Sequence, residues 1–306
     1  MLPTIDPRAK NFDTLCPFIL THERKGTNMS KKIYAMITNQ IIQKLEEGTI
    51  PWRNPFTNGF PVNWLTQKPY RGINLLLLES GEYATYKQIQ DAGGSVKKGA
   101  KGKFVVFWKI LEFVEDEEDQ ENKKKIPLLR YYKVFKVGEQ TEGIKPKRRM
   151  KEESELNPIE QAEAIIKGYN NPPTVTHDSR RAYYRKKSDV VNVPPMKDFD
   201  NIHHYYSVFF HELIHSTGHK DRLNRPGIVN LETNGFGTES YSKEELIAEL
   251  GAAMLCGLTE IENHTIDNNA AYIKSWLKAL ENDHTLIVQA AQHAQKAADY
   301  IQGKNF

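Results

Sequence analysis

His211-Glu212-Leu213-Ile214-His215-Ser216-Thr217-Gly218-His219 is the stretch from which the rest of the chain can be read. On a helix, residues four apart stand one turn apart on a single face, so His211 and His215 present two imidazoles side by side. That spacing suits two adjacent corners of a zinc tetrahedron, and Glu212 is placed to act as general base on a water held there. A plainer reading exists, because Phe209, Phe210, Leu213 and Ile214 would also mark an ordinary core helix. Two imidazoles and a carboxylate buried among them are costly without a partner, and that cost favours the ion.

Such a site needs a third protein ligand and an open position. His219, Glu245 and Glu249 are the downstream candidates. His219 follows His211 by eight residues, shorter than the metzincin spacing, and stands as the alternative ligand. Glu245 and Glu249 share a face of the next predicted helix. They match the gluzincin arrangement, in which the first carboxylate binds zinc and the later one orients a histidine from behind. Glu245 is therefore expected as ligand, with the exchanged assignment open. Ser242-Lys243-Glu244-Glu245 also reads as a capping box, which would occupy Glu245 without a metal. The expected cofactor is one zinc ion, or another divalent transition metal, per chain. Zinc would acidify its water, Glu212 would take the proton, and hydroxide would attack a polarised amide carbonyl of a protein substrate. Tyr183, Tyr184, Tyr241 and His219 are candidate donors to the oxyanion. Val190 to Val193 is the expected edge strand for an extended peptide.

With 306 residues, 39% hydrophobic and 26% charged, the chain is globular and long enough for two domains. No apolar run is long enough to cross a bilayer, and the start lacks the pattern of a secretory signal. Cys16 and Cys256, far apart, suit a reducing cytoplasm rather than a disulfide framework. Charge divides the chain more sharply. Residues 1–150 hold 26 Lys+Arg against 17 Asp+Glu, a net of +9, although Glu112 to Glu121 alone contributes seven acids. The remainder holds 16 against 22, a net of −6, so the halves predict different partners.

The pattern predicts an α+β chain of two domains: a flexible leader over 1–29, an N-terminal domain over 30–144, a charged linker over 145–156 and a C-terminal domain over 157–306. Ile33, Ile37, Ile41 and Leu45 mark a helix from Lys32 to Glu47, capped by Ser30. Pro51-Trp52 and Pro55-Phe56 follow as a loop, then short helices near Leu75 to Leu78 and Thr85 to Ala92. Phe104 to Phe113 and Tyr131 to Val137 read as paired strands around an exposed acidic turn ending in Lys123-Lys124-Lys125. Beyond the linker, helices are expected over Pro158 to Tyr169, Asp200 to Ser216, Ser242 to Leu255, Asn268 to Asn282 and His284 to Gln302, with a small sheet between the first two.

In the basic half, Arg53, Lys68, Arg71, Lys97, Lys98, Lys101, Lys103 and Lys109 interleave with Trp52, Phe56, Trp64, Tyr70, Phe104, Phe107 and Trp108. Cations track a phosphate backbone and exposed aromatic faces stack bases without reading them, so this mixture suits single-stranded nucleic acid. The competing reading is a solvated basic surface over a core made by the same aromatics.

Taken together, the two halves resemble the ArdC-type antirestriction proteins of mobile elements, which are related to the N-terminal part of TraC-type plasmid primases. The resemblance rests on Leu45-Glu46-Glu47-Gly48 with Pro51-Trp52, on Pro69-Tyr70-Arg71-Gly72-Ile73-Asn74, on Gly93-Gly94 with Val96-Lys97-Lys98-Gly99, and on Val134-Phe135. In the second half it rests on Arg181-Ala182-Tyr183-Tyr184, the histidine block, Arg222-Leu223 and Glu244-Glu245-Leu246-Ile247-Ala248-Glu249-Leu250-Gly251-Ala252. It implies a single-stranded-DNA-binding domain fused to a zincin-like metallopeptidase domain, and protection of incoming DNA during transfer. It also implies His211, His215 and Glu245 as metal ligands and Glu212 as base. The rival expectation is a DNA-binding protector whose metal is structural.

Overall fold

The computed structural model describes the backbone of all residues except 1–16, 54–58, 115–122, 149–156, 230–238, 264–269 and 305–306. Much of the expected leader and linker, Pro55-Phe56 and the acidic turn therefore lie outside the described residues. Helix α1 spans Pro17–Glu46. It starts well before Ser30, so the expected cap is not one: Ser30 lies inside the helix, and residues 17–28 are helical rather than irregular. The predicted stripe is buried, with Ile33, Ile37, Ile41 and Leu45 at most 2% exposed. Four-residue spacing places them on one side of the helix.

After α1 the chain forms β1 (Val62–Asn63), α2 (Asn74–Leu77), β2 (Glu82–Thr85), α3 (Tyr86–Asp91), β3 (Ser95–Val96), β4 (Lys103–Val114), β5 (Lys123–Lys136) and β6 (Thr141–Glu142). Thr85 and Gln88 close a capping box that starts α3. The four-stranded sheet runs β1-β2-β5-β4, and β3 pairs with β6. Strands β4 and β5 form a long antiparallel hairpin from Lys103↔Val134 out to Val114↔Lys123. Lys123-Lys124-Lys125 thus belongs to a strand rather than to the turn. The glycine-rich loop before β4 has structural work: Gly93 has φ +76, and a Cβ on Gly102 would meet the Phe135 ring at 3.0 Å.

The second half comprises α4 (Pro158–Lys167), β7 (Thr174–Thr176), β8 (Tyr183–Arg185), β9 (Val190–Asn192), α5 (Ile202–Ser216), α6 (Pro226–Val229), α7 (Glu239–Thr259), α8 (Ala270–Asn282) and α9 (Leu286–Ile301). Asn157 and Glu160 form a capping box with Pro158 in the first turn of α4. Its sheet is ordered β7-β9-β8, which makes β9 central. The expected edge strand at Val190 to Val193 is therefore corrected, and β8 and β7 take the edges. Val191 is fully buried between them.

One apolar core joins the halves, running from the α1 stripe through Trp52 to α5, α7, α8 and α9. Trp52 meets Trp276 edge-on at 5.2 Å between ring centroids. Polar ties cross the same boundary: Thr38 Oγ1 donates to the His284 carbonyl at 2.6 Å, Asn263 Nδ2 to the Trp52 carbonyl at 3.0 Å, and the Gly72 amide to Gln295 Oε1 at 3.0 Å. No helix among the described residues is long and apolar enough to cross a membrane.

Candidate metal centre

Asn201 starts α5 by accepting a hydrogen bond from the His204 amide. From there the helix enters the core, and every residue from Tyr205 to Ser216 is buried. Helix α7 packs across it at close range: a Cβ on Gly251 would lie 2.6 Å from Ile214 Cδ1. Only glycine allows that approach. It brings the carboxylates of α7 over the histidines of α5.

His211 Nε2 and His215 Nε2 stand 3.1 Å apart. The Glu245 carboxylate approaches both, its Oε2 3.5 Å from His211 Nε2 and its Oε1 3.5 Å from His215 Nε2. Ligand atoms about 2.0–2.1 Å from an ion at tetrahedral corners stand about 3.3–3.4 Å from one another. The separations within this triangle of side chains are close to that spacing, with one carboxylate oxygen facing each imidazole, and two imidazoles and one carboxylate are a donor set that suits zinc. All three groups offer one atom within 4.8 Å of each other. Two buried atoms beside them, His215 Nδ1 and Glu249 Oε2, have no hydrogen-bond partner, and for the carboxylate oxygen that cost falls beside a cation.

Behind the triangle, Glu249 Oε1 lies 3.8 Å from His211 Nδ1, and Glu244 Oε1 lies 3.5 Å from His215 Nδ1. These are charge contacts on the ring nitrogens that point away from the triangle. Glu244 is in turn gripped by Arg225, whose Nε donates to its Oε2 at 3.1 Å and whose terminal nitrogen pairs with its Oε1. Arg225 also donates to Thr217 Oγ1 at 2.5 Å and to the Ile214 carbonyl at 2.8 Å. Glu244 and Arg225 were not among the residues expected at the site. The available signal was the doubled acid Glu244-Glu245, read as part of a capping box and of the family motif with no site role given to Glu244. Helix α7 starts at Glu239, so Ser242 is internal and the capping-box reading of Glu245 falls.

Electrostatics follow from burial. It works to lower the His211 imidazolium, but Glu245, with Glu249 and Glu212, raises it to about 9. Burial pushes the Glu249 carboxyl up to about 7 and also raises that of Glu212. Burial would raise Glu244 too, yet Arg225 and His215 hold it low. Several carboxylates confined around two imidazoles form a cage that favours positive charge.

Glu212 is 5% exposed and sits beside the triangle, where the backbone amide of Tyr184 in β8 interacts with its carboxylate. That contact sets the β8 edge against the site. The Tyr184 hydroxyl is committed elsewhere, donating to Asp189 Oδ1 at 2.9 Å, and the Tyr183 hydroxyl accepts from Arg185 at 3.0 Å. The side chain of Tyr241 lies outside the described residues. His219 does not join the metal cluster; its Nδ1 accepts from the Asp221 amide at 3.3 Å. The turn at Thr217 and Gly218 carries it off the helix axis, so the alternative ligand is corrected.

Of the residues expected to contact DNA, Arg53, Lys97, Lys98 and Lys101 are exposed. Lys103 is bonded to Glu79 at 2.7 Å, and Arg71 pairs with the buried Asp299 of α9. Trp52 is fully buried, Trp64 is 7% exposed and Tyr70 is 5% exposed. The Trp64 indole N–H donates to the Lys145 carbonyl at 2.8 Å, and Lys147 covers its ring at 4.2 Å. These three rings give no free face for a base, because the apolar core claimed them. The expectation that they stack bases is corrected.

Sequence comparison matches residues 31–135 to the N-terminal domain of anti-restriction factor ArdC and residues 160–293 to a zincin-like metallopeptidase family. Two DNA primases TraC of Escherichia coli are 34% and 32% identical over 91% and 89% of this chain, which spans only 20% and 27% of their length. The uncharacterized protein y4eC of Sinorhizobium fredii is 33% identical over 88% of this chain and 91% of its own. Among solved structures, the metal-free antirestriction protein ArdC of plasmid R388 superposes with a TM-score of 0.70 at 35% identity, covering 88% of this chain and 96% of that one. Its Mn(II)-bound form also gives 0.70, at 34% identity, with 88% and 97% covered. With the histidine helix, the paired acids of α7 and near full-length matches in agreement, the chain belongs to the ArdC family of antirestriction proteins, with an ArdC N-terminal domain followed by a zincin-like domain.

Proposed function

We propose that this protein is a single-stranded-DNA-binding metallopeptidase that protects incoming DNA of a mobile element, with His211, His215 and Glu245 holding one divalent ion. The observation that carries the reading is the triangle of 3.1, 3.5 and 3.5 Å among these side chains, with Glu212 buried beside it. Zinc is the proposed ion, because two imidazoles and a carboxylate suit it; manganese, the ion named for the R388 relative, is its competitor. When bound, such an ion acidifies a water and polarises a carbonyl.

The chain's own residues do the rest. Glu212 accepts the water's proton at its carboxylate and returns it to the leaving amine. Its raised affinity for protons, a result of burial, suits both halves of that task. The edge strand β8 aligns an extended peptide by backbone hydrogen bonds, which leaves side-chain selection to the surrounding loops. Glu244 and Glu249 fix the two imidazoles from behind.

A Glu212→Gln variant tests this directly. It should keep one ion per chain, measured by elemental analysis, and lose peptide hydrolysis on an unbiased peptide mixture. Hydrolysis at wild-type rate in that variant would defeat the peptidase. A second reading has support in the way the ligands tie α5 to α7, which a structural ion would also do. Under it, Glu212→Gln would protect transferred DNA as well as wild type does.

A further inference from the structure

The buried tryptophans leave the nucleic-acid reading without its stacking surface, and the β4–β5 hairpin supplies another. We propose that the exposed aromatics of this hairpin, Phe107, Trp108, Tyr131 and Tyr132, are where bases of single-stranded DNA stack; the inference rests on the DNA-binding part of the proposed function. These rings are 45%, 45%, 45% and 49% exposed, in a chain whose other three tryptophans are at most 7% exposed. Rings of this size left in water across two adjacent strands are unusual unless something covers them.

Register divides them between the hairpin's faces. Phe107 pairs with Arg130 and Val105 with Tyr132, so Phe107, Arg130 and Tyr132 share one face. Phe107 and Tyr132 meet at 5.9 Å between centroids, and Tyr70 supports Phe107 from the core at 6.2 Å. On the other face Val106 pairs with Tyr131 and Phe104 with Lys133. There Phe104 and Tyr131 meet at 5.5 Å, Lys133 lies over the Phe104 ring at 5.5 Å, and Tyr34 of α1 backs Trp108 at 6.5 Å. Each exposed ring is thus held by an aromatic neighbour, so little side-chain freedom remains to be lost on binding.

Charge selects the occupant. Residues 103–108 and 129–136 contain Lys103, Arg130, Lys133 and Lys136 and no acid. Lys103 and Lys136 are engaged by Glu79 and Glu139, whereas Arg130 and Lys133 are exposed beside the rings. Aromatic faces flanked by cations without acids fit stacked bases joined by phosphates. The exposed Lys97, Lys98 and Lys101 of the preceding loop extend the same charge toward the hairpin's base.

The test uses the full chain and an oligothymidylate probe. Trp108 is the exposed tryptophan, so titration should quench intrinsic fluorescence in wild type and not in Trp108→Phe, which keeps a stacking ring and should still bind by anisotropy. The paired variants Phe107→Ser/Tyr132→Ser and Trp108→Ser/Tyr131→Ser should each weaken binding about tenfold or more. Their salt dependence should match wild type, whereas Arg130→Gln/Lys133→Gln should flatten it. If wild type binds the oligonucleotide and both paired variants bind equally well, the hairpin assignment is overturned while DNA binding stands. Loss of a protein partner by those variants, with DNA binding intact, would make the hairpin a protein-docking surface and overturn it too. A wild type that does not bind the oligonucleotide would overturn the broader reading along with it.

Discussion

Arg225 and Glu244 form a buried ion pair, each 3% exposed, and Glu244 presents its other contact to His215 Nδ1 at 3.5 Å. The pair links the loop after α5 to α7 directly behind one proposed ligand. Replacing Glu244 by Gln leaves the Arg225 charge buried without its counter-ion, a change that typically costs about 3–5 kcal/mol. It should also weaken metal binding about 10–100-fold, because the imidazole loses the carboxylate that orients it. Denaturation midpoints and metal titration of the variant check both. A variant as stable and as metal-avid as wild type would remove Glu244 from the site.

The ligand set makes a sharper demand. Glu245→Gln should lose the bound ion under dialysis that leaves wild type loaded, while His219→Ala should keep it, since His219 lies outside the cluster. Adding zinc at about 100 times its dissociation constant should raise wild-type stability by about 2.7 kcal/mol. That gain should be absent from His211→Ala. Metal content by elemental analysis and thermal scans with and without zinc decide it.

Gly251 sets the distance between the ligand-bearing helices. Alanine there would force Ile214 aside, at about 1–3 kcal/mol for overpacking, and spread Glu245 from the histidines. Stability and metal affinity should fall together. A stable Gly251→Ala protein with unchanged metal affinity would show that the helices can part without harm.

Trp52 is predicted to act through the core. Trp52→Ala should cost about 3–5 kcal/mol, as truncation of a buried aromatic does. The fraction that remains folded should bind single-stranded DNA as wild type does. A large loss of DNA affinity with unchanged stability is the opposite result, and would return Trp52 to the surface role.

Asp189 gives a pH test away from the proposed ligands. Burial works to raise its carboxyl, but two hydrogen bonds from Arg222, at 2.8 and 2.6 Å, and one from Tyr184 hold it below its ordinary value. A depressed folded-state value means the bond stabilises above the unfolded value of about 3.9, and the contribution fades as pH falls through the folded one. Asp189→Asn should cost about 2 kcal/mol at neutral pH, less than a fully buried pair because Asp189 is partly exposed. The gap between variant and wild type should narrow below about pH 4 in urea titrations.

Local patterns determined much of this protein. Four-residue spacing fixed the buried stripe of α1 and the shared face of His211 and His215, because helix geometry is set by backbone hydrogen bonding whatever surrounds it. The pairing of β4 with β5 was likewise written in β-branched and aromatic residues. Tertiary structure decided the rest. Trp52, Trp64 and Tyr70 carried the same aromatic signal as Trp108 and Tyr131, and only tertiary packing determined which rings are buried: Trp52 against Trp276 of α8, Trp64 within the cluster around Ile89 and Phe135, and Tyr70 against Tyr83. Val190 to Val193 read as a strand, but hydrogen bonding on both sides of β9 made it central rather than an edge. Glu244 and Arg225, nineteen residues apart in sequence, meet only because α7 folds back across α5. Burial and long-range pairing depend on which surfaces come together in space, and no short window of sequence contains that information.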